Sequence, residues 1–219
     1  MLIPSFAIER TQEILCILKG MYDSNALPKC KVFLDSPMAI RATSLYNLYH
    51  DELSKCCNDF LTRDGTIFEF PFLEYTLKPD DSKKINQEES CIIIAGSGMC
   101  TGGRILHHFK NRLWNPKNAV IFVGYQAYGT LGRKIVEGAE FVKLYHEKVK
   151  VNAKVHTING FSAHADQKEL LAWIGDFESL GDIYLIHGEK DKQEVFQKAI
   201  KAQFENHVHI VKEGERITL

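Results

Sequence analysis

The run Cys91-Ile-Ile-Ile-Ala95 is apolar at every position, and the glycine-rich octapeptide GSGMCTGG follows it directly. A strand with no polar face has to be covered on both sides, as strands of parallel sheets are. After the glycines, a helical pattern runs from Arg104 to about Leu113. The same unit recurs at Ala119 to Val123, which leads through GYQAYGTLGR into a second helix-like segment. Upstream, Lys31 to Leu34 reads as another short strand, closed by Asp35-Ser36-Pro37, with Ser36 as helix cap and Pro37 at the first helical position. Before it, Ala7, Ile8, Thr11, Ile14, Leu15, Leu18 and Met21 fall on one helical stripe. Strand and helix alternating in this way predict an α/β fold, a mainly parallel Rossmann-like sheet with helices on both faces.

The remaining segments are less regular. Ile67 to Tyr75 contains Pro71 and reads as an edge or irregular strand. Phe141 to Ile158 nearly alternates and predicts two antiparallel strands around Lys150 to Ala153. Asp166 and Glu169 have capping-box spacing at the start of a helix through about Trp173. The apolar run in IYLIHGEKD predicts a short buried strand with His187 emerging at its carboxyl end beside Gly188. A last helix covers Asp191 to Phe204, and HVHIVKEGERITL reads as a terminal strand pair.

Charge excludes a global attraction to polyanions, because 27 Lys and Arg face 28 Asp and Glu. Any polyanion site must be local. The six cysteines include no CxxC pair, which points to reduced thiols and a cytoplasmic protein. MLIPSFAIER has neither the basic start nor the long apolar stretch of a signal peptide, and no run approaches a membrane span, so no membrane partner is expected.

Four segments carry candidate chemistry. In Gly96 to Gly103 the glycines permit close backbone approach, and the loop runs into a helix amino terminus suited to a phosphate. Its spacing is one residue longer than GxGxxG and no acidic residue follows at the usual distance, which argues against NAD but leaves a mononucleotide open. In Gly124 to Arg133, Tyr125, Gln126, Tyr128, Thr130 and Arg133 suit stacking and backbone contact with a single strand. His164 stands among small residues in GFSAHADQ, and His187 follows an apolar run; each suits a metal ligand or a general acid.

Taken in order, IPSFAIERTQEIL, FLDSPMA, AGSGMCTGGRILHH, FVGYQAYGTLGR, INGFSAHADQKEL and LIHGEKD resemble the β-CASP ribonucleases of the metallo-β-lactamase superfamily. The resemblance implies a β-CASP domain over residues 1–161 and, over 162–219, the carboxyl-terminal part of a metallo-β-lactamase αββα domain. It implies that His164 stabilises phosphate or protonates the leaving group, and that His187 is a zinc ligand. The DNA-repair branch typically has an aliphatic residue at the second position, so His187 implies RNA as substrate. The backbone of that RNA would be held in the interdomain cleft by Gly96, Ser97, Gly98, Met99, Gly102 and Gly103, by Tyr125, Gln126, Thr130 and Arg133, and by Ser162. Complete family members hold two zinc ions, mainly through HxHxDH with a further His and Asp, all preceding the segment matched here.

This chain opens at IPSF, where the family's β-CASP domain begins, and its single HxH, His207-Val208-His209, reads as a strand surface. The expectation is a fragment of a zinc-dependent ribonuclease that binds zinc weakly and is inactive alone. Its expected partners are RNA, the amino-terminal metallo-β-lactamase half and, through an exposed apolar face, a second copy in a homodimer. The alternative is a non-catalytic RNA-binding or scaffold module of a processing complex.

Overall fold

The first strand, β1 (Leu2–Pro4), is followed by helix α1 (Arg10–Asp23), strand β2 (Lys31–Leu34) and helix α2 (Pro37–Leu48). Next come β3 (Leu73–Tyr75), the short helix α3 (Pro79–Lys84), β4 (Cys91–Ala95), α4 (Ile105–Arg112), β5 (Ala119–Phe122) and α5 (Leu131–Val136). A hairpin, β6 (Phe141–Leu144) and β7 (Glu147–Lys150), precedes β8 (Lys154–Thr157). The computed structural model describes residues 1–53, 65–161 and 164–217. They divide into two units, Met1–Ser162 and Ala163–Leu219.

The first unit is built on a six-stranded sheet in the order β3-β2-β4-β1-β5-β8, every neighbouring pair parallel. The α/β expectation therefore holds. β4 is buried along its whole length, between β2 and β1. Its side chains alternate between two cores, as the pleat requires. Cys91, Ile93 and Ala95 join Leu2, Ile105, Phe109, Phe122 and Ile135 on one face. Ile92 and Ile94 join Ile3, Ile14, Leu15, Leu18 and Ala39 on the other. Helices α4 and α5 thus cover one face, and α1 and α2 the other. Each fully buried aliphatic side chain contributes about 1.5–3 kcal/mol of transfer free energy to this arrangement.

The ends of the elements follow local chemistry. Ser36 Oγ accepts the Ala39 N–H at 3.4 Å, with Pro37 as the first residue of α2. β3 is short and at the sheet edge, where Pro71 just before it removes no interior hydrogen bond. Helix α1 begins later than its apolar stripe suggests. Glu9 has φ of 67°, so the chain turns there, and Ile8 is left exposed outside the helix.

The expected strand pair around Lys150 to Ala153 is displaced. β6 and β7 are antiparallel with Leu144 opposite Glu147, so the turn is Tyr145-His146, and β8 instead joins β5 in the main sheet. Both turn residues have positive φ, 47° and 69°. Two-residue turns of this kind usually carry Asn-Gly or Gly, and Tyr-His gives no such signal. The Tyr145 ring stacks on His107 at 4.8 Å, which holds the turn against α4.

The second unit contains α6 (Gln167–Gly175), β9 (Ile183–Leu185), α7 (Lys190–Lys201) and β10 (Val208–Ile210). The capping box is formed: the Asp166 carboxylate accepts the Glu169 N–H and the Glu169 carboxylate accepts the Asp166 N–H, each at 2.8 Å. β9 is half-buried rather than buried, because among the described residues it pairs only with β10, in parallel. Of the expected terminal strand pair, the described residues form one strand, β10; Thr218 and Leu219, at the end of the second, lie outside them. After β10, the Glu215 N–H donates to the Lys212 carbonyl and Gly214 adopts φ of 78°, so the chain turns as a strand pair would need, but Arg216 and Ile217 are not paired as a strand. No helix among the described residues is long and apolar enough to cross a membrane.

Candidate functional site

The loops leaving the carboxyl ends of β1, β2, β3, β4 and β5 emerge along one edge of the parallel sheet, where α/β folds place ligands. At the centre of this edge is Asp35, the residue after β2, which is 0% exposed. Its Oδ1 accepts from Thr76 Oγ1 at 2.5 Å and from Arg104 Nη1 at 2.7 Å. Its Oδ2 accepts from Ser82 Oγ at 2.6 Å and meets His108 Nε2 at 2.7 Å. Burial alone would raise the pKa of this carboxyl. Hydrogen bonds from His108, Ser82, Thr76 and Arg104 outweigh burial and lower it to about 2. An ionised carboxylate only accepts, so the proton of this contact is on His108 Nε2. Arg104 also donates to the carbonyls of Thr76 and Leu77, at 2.7 and 2.8 Å. One buried anion thus ties the ends of β2 and β3, helix α3 and the start of α4 together.

The segment Gly96 to Gly103 folds on itself. Ser97 Oγ accepts the N–H groups of Thr101 and Gly102 at 3.0 and 3.2 Å, and the Ser97 N–H donates to the Gly102 carbonyl at 3.1 Å. The Cys100 N–H donates to Ser97 O and the Ile105 N–H to Gly96 O. The first N–H of α4 is therefore engaged within the protein, which corrects the expectation of an open helix terminus awaiting a phosphate. The Gly96 carbonyl takes the Ile105 N–H, and the Ser97 hydroxyl takes the Thr101 and Gly102 N–H groups just before the helix, backbone donors that a ligand would otherwise use. Gly103, at φ of 78°, has no room for a side chain, because a Cβ there would lie 2.3 Å from Gly96 O. Burial pushes the Cys100 thiol up to about 12, so it stays protonated and is no nucleophile.

The segment Gly124 to Arg133 is locked to this loop. Gln126 is 5% exposed, and its Nε2 donates to Gly98 O at 3.0 Å and to the Gly124 and Tyr125 carbonyls at 3.2 Å. The Gly132 N–H donates to Met99 O at 3.2 Å, and a Cβ at Gly132 would lie 1.7 Å from Gln126 Oε1. Thr130 caps α5, accepting the Arg133 N–H at 3.2 Å and donating to Ala127 O at 2.7 Å. Arg133 Nε donates to Glu137 at 2.7 Å, and Tyr125 is exposed. The two segments read from sequence as separate contacts are one assembly, joined through Gln126 and the Gly132 N–H, while Thr130 is committed to capping α5.

The two histidines lie in the second unit. His164 is exposed, two residues before the Asp166 cap of α6; Ser162 lies outside the described residues. His187 is also exposed, two residues past β9 and two before the Glu189 cap of α7, with φ of 70°, and its carbonyl accepts from Gln193 Nε2 at 3.1 Å. His207 and His209 stack with ring centroids 6.4 Å apart, and His209 Nε2 meets Glu215 at 2.8 Å. Among the described residues no three His, Cys, Asp or Glu side chains are grouped to hold a metal ion, whereas a catalytic zinc needs about three protein ligands. The described residues alone do not fit a zinc site.

In the sequence, Asp35 is legible only as the end of a strand. The signal was its position after the buried run Val32 to Leu34, but its partners lie 41 to 73 residues away in the chain.

Comparison with known proteins identifies the family. Residues 11–135 match the Beta-Casp domain, and residues 148–211 match the Zn-dependent metallo-hydrolase RNA specificity domain. Ribonuclease TTHA0252 of Thermus thermophilus is 41% identical over 192 residues, covering 87% of this chain and 43% of that protein. Transcription termination factor FttA of Methanocaldococcus jannaschii is 34% identical over 220 residues, 95% of this chain and 34% of that protein. An RNase J-like protein of the same organism is 35% identical over 189 residues, 86% of this chain and 43% of that protein. The chain spans less than half the length of these relatives. With a matched domain over more than half its residues, the chain belongs to the β-CASP family of the metallo-β-lactamase superfamily.

Proposed function

We propose that this chain supplies the RNA-holding part of a zinc-dependent ribonuclease, and that alone it neither holds zinc tightly nor cleaves RNA. The observation that carries this reading is the joined pair of loops at the carboxyl edge of the sheet, in a chain that matches an RNA specificity domain. Gly96, Met99, Gly102, Gly103 and the exposed Tyr125 provide the contact surface, with Arg133 at its border and the buried Gly98 supporting it from beneath. Gln126, Thr130 and Ser97 position that surface, and Asp35 fixes the strand ends beneath it. His164 donates a proton to a phosphate oxygen or leaving group, and His187 contributes one ligand to a metal site completed by another polypeptide segment. No hydrolytic step is assigned to the chain alone.

The test is fluorescence anisotropy with labelled single-stranded RNA across a salt series, beside elemental analysis for zinc. The expected result is RNA binding that weakens steeply with salt, with zinc well below one ion per chain. Tight stoichiometric zinc, or RNA cleavage by the purified chain, would overturn the second half of the proposal. A non-catalytic RNA-binding role is the other reading, favoured by the ungrouped histidines. It predicts that adding a metallo-β-lactamase segment carrying HxHxDH restores no cleavage.

A further inference from the structure

We propose that Phe6 is a stacking platform for an RNA base, set at the carboxyl end of β1 against the glycine loop. The inference rests on the RNA reading above and adds a base contact to a site otherwise built for backbone. Phe33, Phe68, Phe109 and Phe122 are buried in the cores of this unit, but Phe6 leaves 44% of its surface exposed. Its ring lies on Gly98, where an added Cβ would be 2.7 Å from Cδ2 and 2.8 Å from Cε2. Only glycine allows the ring to lie that close to the loop backbone.

The backbone beneath the ring is fixed as well. The Phe6 carbonyl accepts from Thr11 Oγ1 at 2.6 Å and from Ser5 Oγ at 3.2 Å, and both of those residues are buried. The Ser5 N–H donates to Ala95 O at 3.0 Å, extending the ladder between β1 and β4 to the residue before the ring. Gly98, on which the ring rests, gives its carbonyl to Gln126, so the platform is joined to both loops. An exposed aromatic held in this way has already lost most of the freedom that stacking would remove. Every base has a π-face, so the contact is tolerant of sequence and suits a single-stranded segment with splayed bases.

The test is binding of single-stranded RNA carrying 2-aminopurine, followed by anisotropy and by quenching, with Phe6→Ala, Phe6→Leu and Phe6→Tyr. Phe6→Leu retains an apolar side chain over Gly98 while removing the aromatic ring, which guards against a variant that simply unfolds. The expected result is a loss of affinity of roughly five- to 150-fold in Phe6→Ala and Phe6→Leu, loss of quenching at one position, an unchanged salt slope, and near wild-type behaviour for Phe6→Tyr. An oligonucleotide abasic at that position should bind wild type and Phe6→Leu equally. If wild type binds RNA and Phe6→Leu matches it in affinity and quenching, the platform is wrong and the RNA reading stands. If wild type binds no RNA at low salt, both fail.

Discussion

Strands β4 and β9 are both short, apolar and parallel to their neighbours, yet β4 is buried at every residue while β9 is only half-buried. Ile186, just past β9, is 72% exposed, as is 61% of Trp173 on α6. The difference is in what surrounds them. β4 has a strand on each side and helices on both faces, whereas among the described residues β9 has one neighbour, and its core of buried apolar side chains reduces to Leu171, Ile174, Ile200 and Val208. A two-stranded sheet is marginal by itself. Apolar composition therefore makes a strand, but the number of covering elements decides whether it is a core. Ile186 and Trp173 are accordingly exposed apolar side chains beside a small core.

The largest expected effect is at Asp35. Asp35→Ala leaves Arg104 and His108 facing a vacated anion site, and should lower the stability of Met1–Ser162 by about 3–5 kcal/mol in urea denaturation. A loss under about 1 kcal/mol, below the range for breaking a buried pair, would show that the network is not what holds the strand ends. Acid titration probes the same group. The folded pKa is about 2, below the ordinary 3.8, so the contribution is fully present above the ordinary value and is lost as pH falls from there toward 2. Asp35→Asn should flatten that acid limb; an unchanged limb would place its origin elsewhere.

Hydrogen exchange sharpens the comparison itself. Amides of Ile92 to Ile94 should be protected about a hundredfold more than those of Tyr184 to Ile186, since exposed two-stranded elements open at low free energy. Equal protection in a monodisperse monomer would contradict the idea that β9 has a weaker core around it than β4. The smallest effect is expected at the capping box. Asp166→Ala should cost about 1 kcal/mol, seen as faster exchange confined to α6, and a global loss of stability would mean that α6 carries more of the fold than its exposure suggests.

What was legible in the sequence divides along physical lines. Continuous apolar runs, the Ser36-Pro37 helix start and the Asp166–Glu169 box are local signals, and each forms where the chain pattern places it. The hairpin turn was missed because Tyr145 and His146 adopt positive φ without a glycine or asparagine to announce it. The role of Asp35 was missed because burial of a carboxylate depends on partners supplied from three other elements. Gln126 looked like a surface contact between glycines, and only the approach of Gly98 turns its amide inward. The glycine loops were visible as loops, but their mutual hydrogen bonds were not.

The central claim is that RNA lies along the carboxyl edge of the first unit. Hydrogen–deuterium exchange of the whole chain, with and without single-stranded RNA at low salt, tests it most directly. Slowed exchange across Gly96 to Gly103 and Gly124 to Arg133, with Ile183 to Leu185 unchanged, is the expected result. A footprint confined to Ala163–Leu219, or none at either loop under conditions where RNA is bound, would contradict it.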